Sequence, residues 1–503
     1  MNRLIICILL LFPSYFAKNS WGQDTFDDFR NKMNASFDAF QKNANDEYDA
    51  FRKKINDEYA ALLEKSWKEF NALAKIDIPD KNVKPIPPVV YPKDDEKKPQ
   101  PTPKPLPYDD VVPAPVPEPQ PKPVVPIEDV PKPVFIPEVA YSFFGTQVKV
   151  HFDVSQCVKL TNTNEYSVSH AWKAMSTENY KALIHDCLQI RKEKSLCDWA
   201  YLEMLKCMAD KICGKGTNSA TLLMAYVYCQ SGYMMRLARS DNNTLYMMYA
   251  SNHIICDKDY FTIDGVMFYT YGASPNHVYL CNVSFPQEKA MSLYIPTAQK
   301  FYSNTSQPKT RQSQRYPEVR TTMTSNKNLM DFYNTYPTSI LGDNFVSRWA
   351  MYANTPMSDD IKRQIYPSLR SSIQGCNQLK AVNKLLNYVQ TGFVYEYDDK
   401  VWGHDRAFFA EESLYYPYCD CEDRSILFTR IVRDLLGLNC ILIYYPGHLA
   451  SAVEFTEGVV NGDYIQLNGR KFIIADATYI NAPVGKTMPN MDNKTAKVIL
   501  LKK

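Results

Sequence analysis

Between residues 24 and 75, apolar side chains recur in steps of 3, 4 and 4: Phe26, Phe29, Met33, Phe37, Phe40, Ala44, Tyr48, Phe51, Ile55, Tyr59 and Leu62. Ser66 interrupts this stripe, and Phe70 and Leu73 resume it. An eleven-residue period is about 3.67 residues per turn, so the seam stays on one face of a nearly straight helix. Asp, Lys, Asn and Glu fill the opposite face. The pattern predicts an amphipathic helix over 24–75. The favoured use of its narrow seam is self-association as a coiled-coil stalk, which would make the chain a homo-oligomer. The same seam also suits a helix folded onto its own domain or lying on a membrane surface.

The periodicity then stops. Twenty of the 33 prolines lie between Pro79 and Pro137. Such a stretch cannot build a core of its own, and residues 76–138 are predicted to be an extended polyproline II spacer. At the other end of the chain, length and hydropathy point to export. Arg3, the apolar run Leu4–Phe12, and small residues at Ala17 and Gly22 predict a signal peptide over 1–22.

Helical and strand periods alternate in the C-terminal third. Ile426, Leu427, Ile431 and Leu435 form a helical stripe, with Asp420 as its N-cap and Gly437 as its stop. Cys440–Tyr445 reads as a strand, Pro446-Gly447 as a turn, and His448 opens a second strand. Tyr464–Leu467 and Lys471–Ala475 flank Asn468-Gly469, a strong hairpin turn signal, and Asp476 ends the last strand. The predicted fold class is α+β.

Composition changes this picture only at its edges. The net charge of +2 carries no basic excess for neutralising phosphates, so nucleic acid is not expected as a partner. The 503 residues are enough for about three domains. Twelve of the thirteen cysteines lie outside the signal, and some could pair in an oxidising compartment. Their spacing shows neither a regular disulfide framework nor a zinc site.

Cys421 in the first turn of a helix meets unpaired backbone N–H groups and the positive dipole end, which favour a thiolate. A histidine and an aspartate from adjacent strands supply what a nucleophilic thiol needs: a base, and a carboxylate to orient it. Cys419 is the rival nucleophile, although it precedes the cap. His404-Asp405 is the rival base pair.

Cys421-Glu422-Asp423-Arg424-Ser425, Gly447-His448 and Ala475-Asp476-Ala477-Thr478-Tyr479 resemble the transglutaminase-like superfamily, whose fold is related to papain-type cysteine proteases. Leu385–Asp398 and Glu411-Glu412-Ser413-Leu414 also resemble its bacterial members. The likeness spans roughly 370–485. It implies Cys421 as nucleophile, His448 as general base and Asp476 as its orienter. It further implies thioester-forming hydrolysis of a peptide or amide bond, or transamidation, on a protein or peptide substrate. No cofactor and no metal are implied. Gln390 and Trp402 are candidates for an oxyanion hole without a firm match. The chain would be exported to a bacterial periplasm or cell surface, in association with the cell envelope. A second reading keeps the fold without turnover, as a binding protein of the envelope.

Residues 216–237, shifted by 205, align with Cys421–Leu442: Ala220 falls on Ser425, Leu222 on Leu427, Gly232 on Gly437 and Leu237 on Leu442. Gly216 takes the Cys421 position. The predicted organisation is a degenerate transglutaminase-like domain over 139–285, lacking a nucleophile, followed by the transglutaminase-like catalytic domain over 286–503.

Overall fold

The computed structural model describes residues 49–65, 67–77, 84, 86–90, 104–123, 136–342 and 344–502. The signal over 1–22 and the first half of the expected stalk lie outside the described residues. Helix α1 covers 49–63 and is followed by β1 (Lys68–Asn71) and β2 (Asp110–Val112). The first half of the body contains the hairpin β3 (Glu138–Phe143) and β4 (Thr146–His151). Helices α2 (Glu165–Ala174), α3 (Glu178–Glu193), α4 (Asp198–Cys213) and α5 (Asn218–Gln230) follow. Strands β5 (Met235–Arg239), β6 (Leu245–Ala250), β7 (Ile254–Ile255), β8 (Phe261–Ile263), β9 (Val266–Thr270) and β10 (His277–Cys281) complete it.

The second half opens with another hairpin, β11 (Lys309–Gln312) and β12 (Arg320–Met323), then α6 (Lys327–Thr335), β13 (Ser339–Ile340) and α7 (Ser347–Asn354). It continues with α8 (Asp359–Ile373), α9 (Gln378–Gly392), β14 (Val394–Tyr395), α10 (Asp398–Val401), α11 (Ala410–Tyr415), β15 (Tyr418–Cys419) and α12 (Cys421–Leu436). Strands β16 (Cys440–Tyr445), β17 (His448–Glu454), β18 (Tyr464–Leu467), β19 (Arg470–Ile474) and β20 (Lys497–Leu500) end the chain.

Among the described residues the architecture is mixed α+β with two six-stranded sheets. Their orders are β8-β9-β6-β5-β10-β1 and β18-β19-β17-β16-β20-β2, the same succession apart from numbering. In each half a hairpin precedes the helices: α3 packs on β4 and α4 on β3, while α8 packs on β12 and α9 on β11. Leu237 and Leu442 occupy corresponding strands, β5 and β16. The outermost strands differ, since β1 joins β10 antiparallel and β2 joins β20 parallel. One apolar core runs through both halves, and the β7–β13 pair crosses between them.

Helix α1 belongs to this body. Tyr59, Ala60 and Leu63 are buried in the main core, and Tyr59 lies against Trp172 with ring centroids 4.9 Å apart. Wholly buried Asn56 accepts from Trp172 Nε1 at 3.0 Å and donates to Gln230 Oε1 at 3.1 Å. The helix stops at residue 63 and the chain turns into β1, which corrects the expectation of one helix through residue 75. The physical reason is competition. The unpaired edge of β10 offers backbone partners to residues 68–71, which a helix with an interrupted seam does not outbid. Phe51, at the far end of the described seam, remains exposed. Leu63→Ala is expected to lower stability by about 2–5 kcal/mol, read as a fall in the urea midpoint. A helix standing off the body would lose less than about 1 kcal/mol.

The proline-rich stretch differs from a free spacer in the same way. Leu106 packs into a cluster with Ile441, Ile443, Ala450, Ile465 and Phe472 on the outer face of the second sheet. β2 extends that sheet, and Val112 is buried in the main core. Further along, Glu118 accepts from Asn252. A Cβ on Gly232 would lie 1.9 Å from the Lys122 carbonyl oxygen, so the strand of chain crosses there in direct backbone contact. Proline prevents a segment from making its own sheet, but not from being covered by another. This covering explains why Cys440–Tyr445 is apolar on both faces: one meets α12, the other the strap.

A disulfide joins Cys157, just after the first hairpin, to Cys213 at the end of α4. Among the described residues no helix is long and apolar enough to cross a membrane.

Candidate functional site

Helix α12 begins at Cys421 after its N-cap Asp420 and ends at Gly437, which takes the left-handed conformation (φ 65°) that glycine adopts without strain. Ser425 Oγ donates to the Leu449 carbonyl at 2.7 Å, fixing this helix against β17 beside His448. Cys421 lies one turn before Ser425 and therefore shares its helix face. Arg424, also buried, donates to the carbonyls of Gln390 (3.1 Å) and Phe393 (2.8 Å), tying the first turn of α12 to the end of α9.

His448 Nε2 pairs with Asp476 Oδ2 at 2.9 Å, and both side chains are shut off from solvent. The other Asp476 oxygen accepts from the backbone N–H groups of Thr478 (2.8 Å) and Tyr479 (3.3 Å), so the carboxylate is held from two sides. Gln390 Nε2 donates to the carbonyls of Asp476 and Ala482, which fixes the loop carrying the carboxylate. Its amide protons are thereby committed, and Gln390 is a brace here, not an oxyanion donor. The Tyr445 ring lies nearly parallel to the imidazole, at 6.2 Å and 15°. Among the described residues, buried His448 Nδ1 has no partner.

Cys421 opens the helix that packs on β17, but its hydrogen bond goes elsewhere than to the imidazole. Its Sγ donates to Glu422 Oε2 at 3.0 Å. Burial, then the carboxylates of Glu422 and Asp420, push the thiol well above its ordinary range, with Lys84 pulling the other way. This corrects the thiolate expected from the helix end. The dipole is worth about 2 kcal/mol at best, less than full burial among carboxylates costs a thiolate.

The rivals separate plainly. Cys419 is buried in β15 and donates to the Val394 carbonyl at 3.8 Å. Exposed His404 turns its Nδ1 to the Trp402 carbonyl, and Asp405 binds Arg348 at 2.6 Å, so those two do not form a base pair. Trp402 packs edge-on against Phe408 and Tyr416 with Arg406 over its face. It lines a cleft of about 820 Å³ together with Tyr336, Tyr352, His404, Asp405 and Tyr416.

A group that sequence reasoning missed is Lys84, from the proline-rich stretch. Its ammonium contacts Glu422 (2.7 Å), Asp398 (3.2 Å), Asp405 (3.5 Å) and Asp420. Burial opposes its charge, but Glu422 and Asp420 outweigh burial and raise it far above the ordinary lysine range. Burial also works against ionisation of Glu422, yet Lys84 and Arg348 hold that carboxyl at about 2. Asp398 is raised to about 6, chiefly by burial. A lysine in a run of prolines carries no local signal of this role; the three acidic residues Asp420, Glu422 and Asp423 that flank Cys421 are a trace of it in sequence. Asp398, Asp405, Asp420, Asp423, Glu422 and Cys421 lie closely enough to form cation-binding groups, and here Lys84 supplies the positive charge.

Glu411 in α11 accepts from Ser358 N and Oγ, both at 2.8 Å, and burial pushes its carboxyl up to about 7. Below the ordinary carboxylate range it is neutral folded and unfolded. As pH rises from about 4.5 to 7, the unfolded chain gives up a proton that the folded chain keeps, so stability falls across that window. The shift corresponds to about 3 kcal/mol. Glu411→Gln is expected to flatten the drop in urea midpoint between pH 5 and 8; an unchanged slope would contradict this.

No family model, no curated protein and no solved structure matches the chain.

Proposed function

We propose that the chain is an exported cysteine enzyme of the transglutaminase-like kind, acting on amide or peptide bonds of a protein or peptide substrate at the cell envelope. The observation that carries this reading is the buried His448–Asp476 pair, whose second imidazole nitrogen has no partner among the described residues, on a strand against which the helix opened by Cys421 packs. In the reaction His448 Nδ1 takes the Cys421 proton, and Asp476 fixes the tautomer and steadies the imidazolium. The sulfur adds to the carbonyl carbon. Collapse breaks the C–N bond, and His448 returns the proton to the departing nitrogen, leaving a thioester. Water, or an amine, then takes the acyl group and frees the thiol. Hydrolysis is favoured, since many of the bacterial members that the sequence resembles look like peptidases or amidases. Apo geometry with the thiol turned to Glu422 is compatible with this, since catalytic hydrogen bonds often close only when substrate binds.

The test is release of ammonia or new N-termini from a peptide library by the full-length chain, with Cys421→Ala as the zero. Activity lost in Cys421→Ala and retained in Cys419→Ala is expected. Equal activity in Cys421→Ala would overturn Cys421 as the nucleophile, and no release by the parent would leave the envelope-binding reading.

A further inference from the structure

We propose that Lys84 and residues 86–90 are a built-in occupant of the substrate groove, and that the carboxylates around Lys84 form a subsite for the primary ammonium of an extended peptide. This rests on the reading of Cys421, His448 and Asp476 as the reaction centre.

Residues 88–90 lie extended along the segment that follows Asp476. Val90 N donates to the Ile480 carbonyl at 2.8 Å, and Ile480 N to the Pro88 carbonyl at 2.9 Å, a parallel backbone pairing. This is how an added strand binds: main-chain bonds hold it, and pockets for side chains choose it. Val90 fills such a pocket among Tyr479, Ala482 and Met488. Six residues earlier Lys84 fills the other, and its ammonium and the Cys421 thiol share one carboxylate, Glu422. Three donors among four carboxyl groups suit a primary amine better than a guanidinium, whose planar fork needs a matching pair of oxygens. Asp405 binds Lys84 and also lines the open cleft, so a basic side chain has a route from solvent to this position. With the occupant in place, Cys421 and His448 are both buried. A substrate therefore has to displace it, and one that brings its own lysine replaces the cation that the acidic groups require.

The experiment uses the full-length chain and measures iodoacetamide labelling of Cys421 by peptide mass mapping at neutral pH. Val90→Asp, which puts a charge into the apolar pocket, is expected to raise the Cys421 rate on the order of tenfold or more over the parent. Lys84→Gln, which keeps the side-chain volume but not the charge, is the second variant and should move the rate the same way. A synthetic peptide with the sequence of residues 81–92 should slow labelling of Val90→Asp again; the same peptide with alanine for its Lys84 should not. Parental rates in both variants would overturn occupancy. Equal protection by both peptides would overturn the ammonium subsite. If labelling rises as expected while the variants cleave no peptide, the occupant stands and the enzyme reading of the site fails, so the two failures are separable.

Discussion

Asp476→Asn is expected to reduce Cys421-dependent turnover by about three orders of magnitude or more while leaving the urea midpoint within about 1 kcal/mol of the parent. The carboxylate accepts from His448 Nε2 and from two backbone N–H groups. An asparagine keeps an oxygen for one of these sets but offers N–H to the other. If its amide group faces the imidazole, Nε2 must become the acceptor and the proton moves to Nδ1, the nitrogen required to take the thiol proton. Packing survives, since the side chains are nearly the same size, but the base has the wrong tautomer and loses its counter-charge. His448→Ala should lose as much, and the two changes together little more, because the pair acts as a unit. Losses that simply multiply would show that each residue serves separately.

The second large effect lies outside the reacting groups. Gly462→Ala is expected to cost about 3–5 kcal/mol, read as a lower urea midpoint, with activity falling in step. Gly462 has φ 141°, and a Cβ there would come within 2.2 Å of the Gly485 Cα. Backbone lies on both sides of this contact, so no side chain can swing away. Asp463 N donates to Gly485 O at 2.9 Å, and Gly485 N to Ile474 O at 2.7 Å. Pushing the two segments apart therefore pulls at the end of β19, two residues before Asp476. A stability loss below about 1 kcal/mol would mean that this approach is not needed to hold the carboxylate.

Local rules carried the site's skeleton. Asp420 and Gly437 bound α12 where capping chemistry places them. Asn468 and Gly469 both take positive φ (48° and 78°), as the hairpin turn between β18 and β19 requires. His448 opens β17, and Asp476 follows β19 closely enough for the two to meet across paired strands. The 205-residue offset between Leu237 and Leu442 lands on corresponding strands of two like-ordered sheets.

What local rules could not show is who covers whom. Proline content says that residues 76–138 cannot pack on themselves, and it is silent about a sheet elsewhere that needs Leu106 and Val112. The seam of α1 favours a second helix as its partner and also suits the chain's own core, and it is the burial of Tyr59, Ala60 and Leu63 and the hydrogen bonds of Asn56 to Trp172 and Gln230 that show the core. The state of Cys421 departs from the helix-end expectation for the same reason. A helix start is visible in sequence, whereas the burial and the carboxylates that oppose a thiolate come from distant segments.

The central claim is that His448 draws the proton from Cys421 once the groove is open. It is tested most directly by the rate of Cys421 alkylation at pH 7 in Val90→Asp, with and without His448→Ala. A rate at least about tenfold slower without the imidazole is expected. Equal rates would contradict a working thiol–imidazole pair.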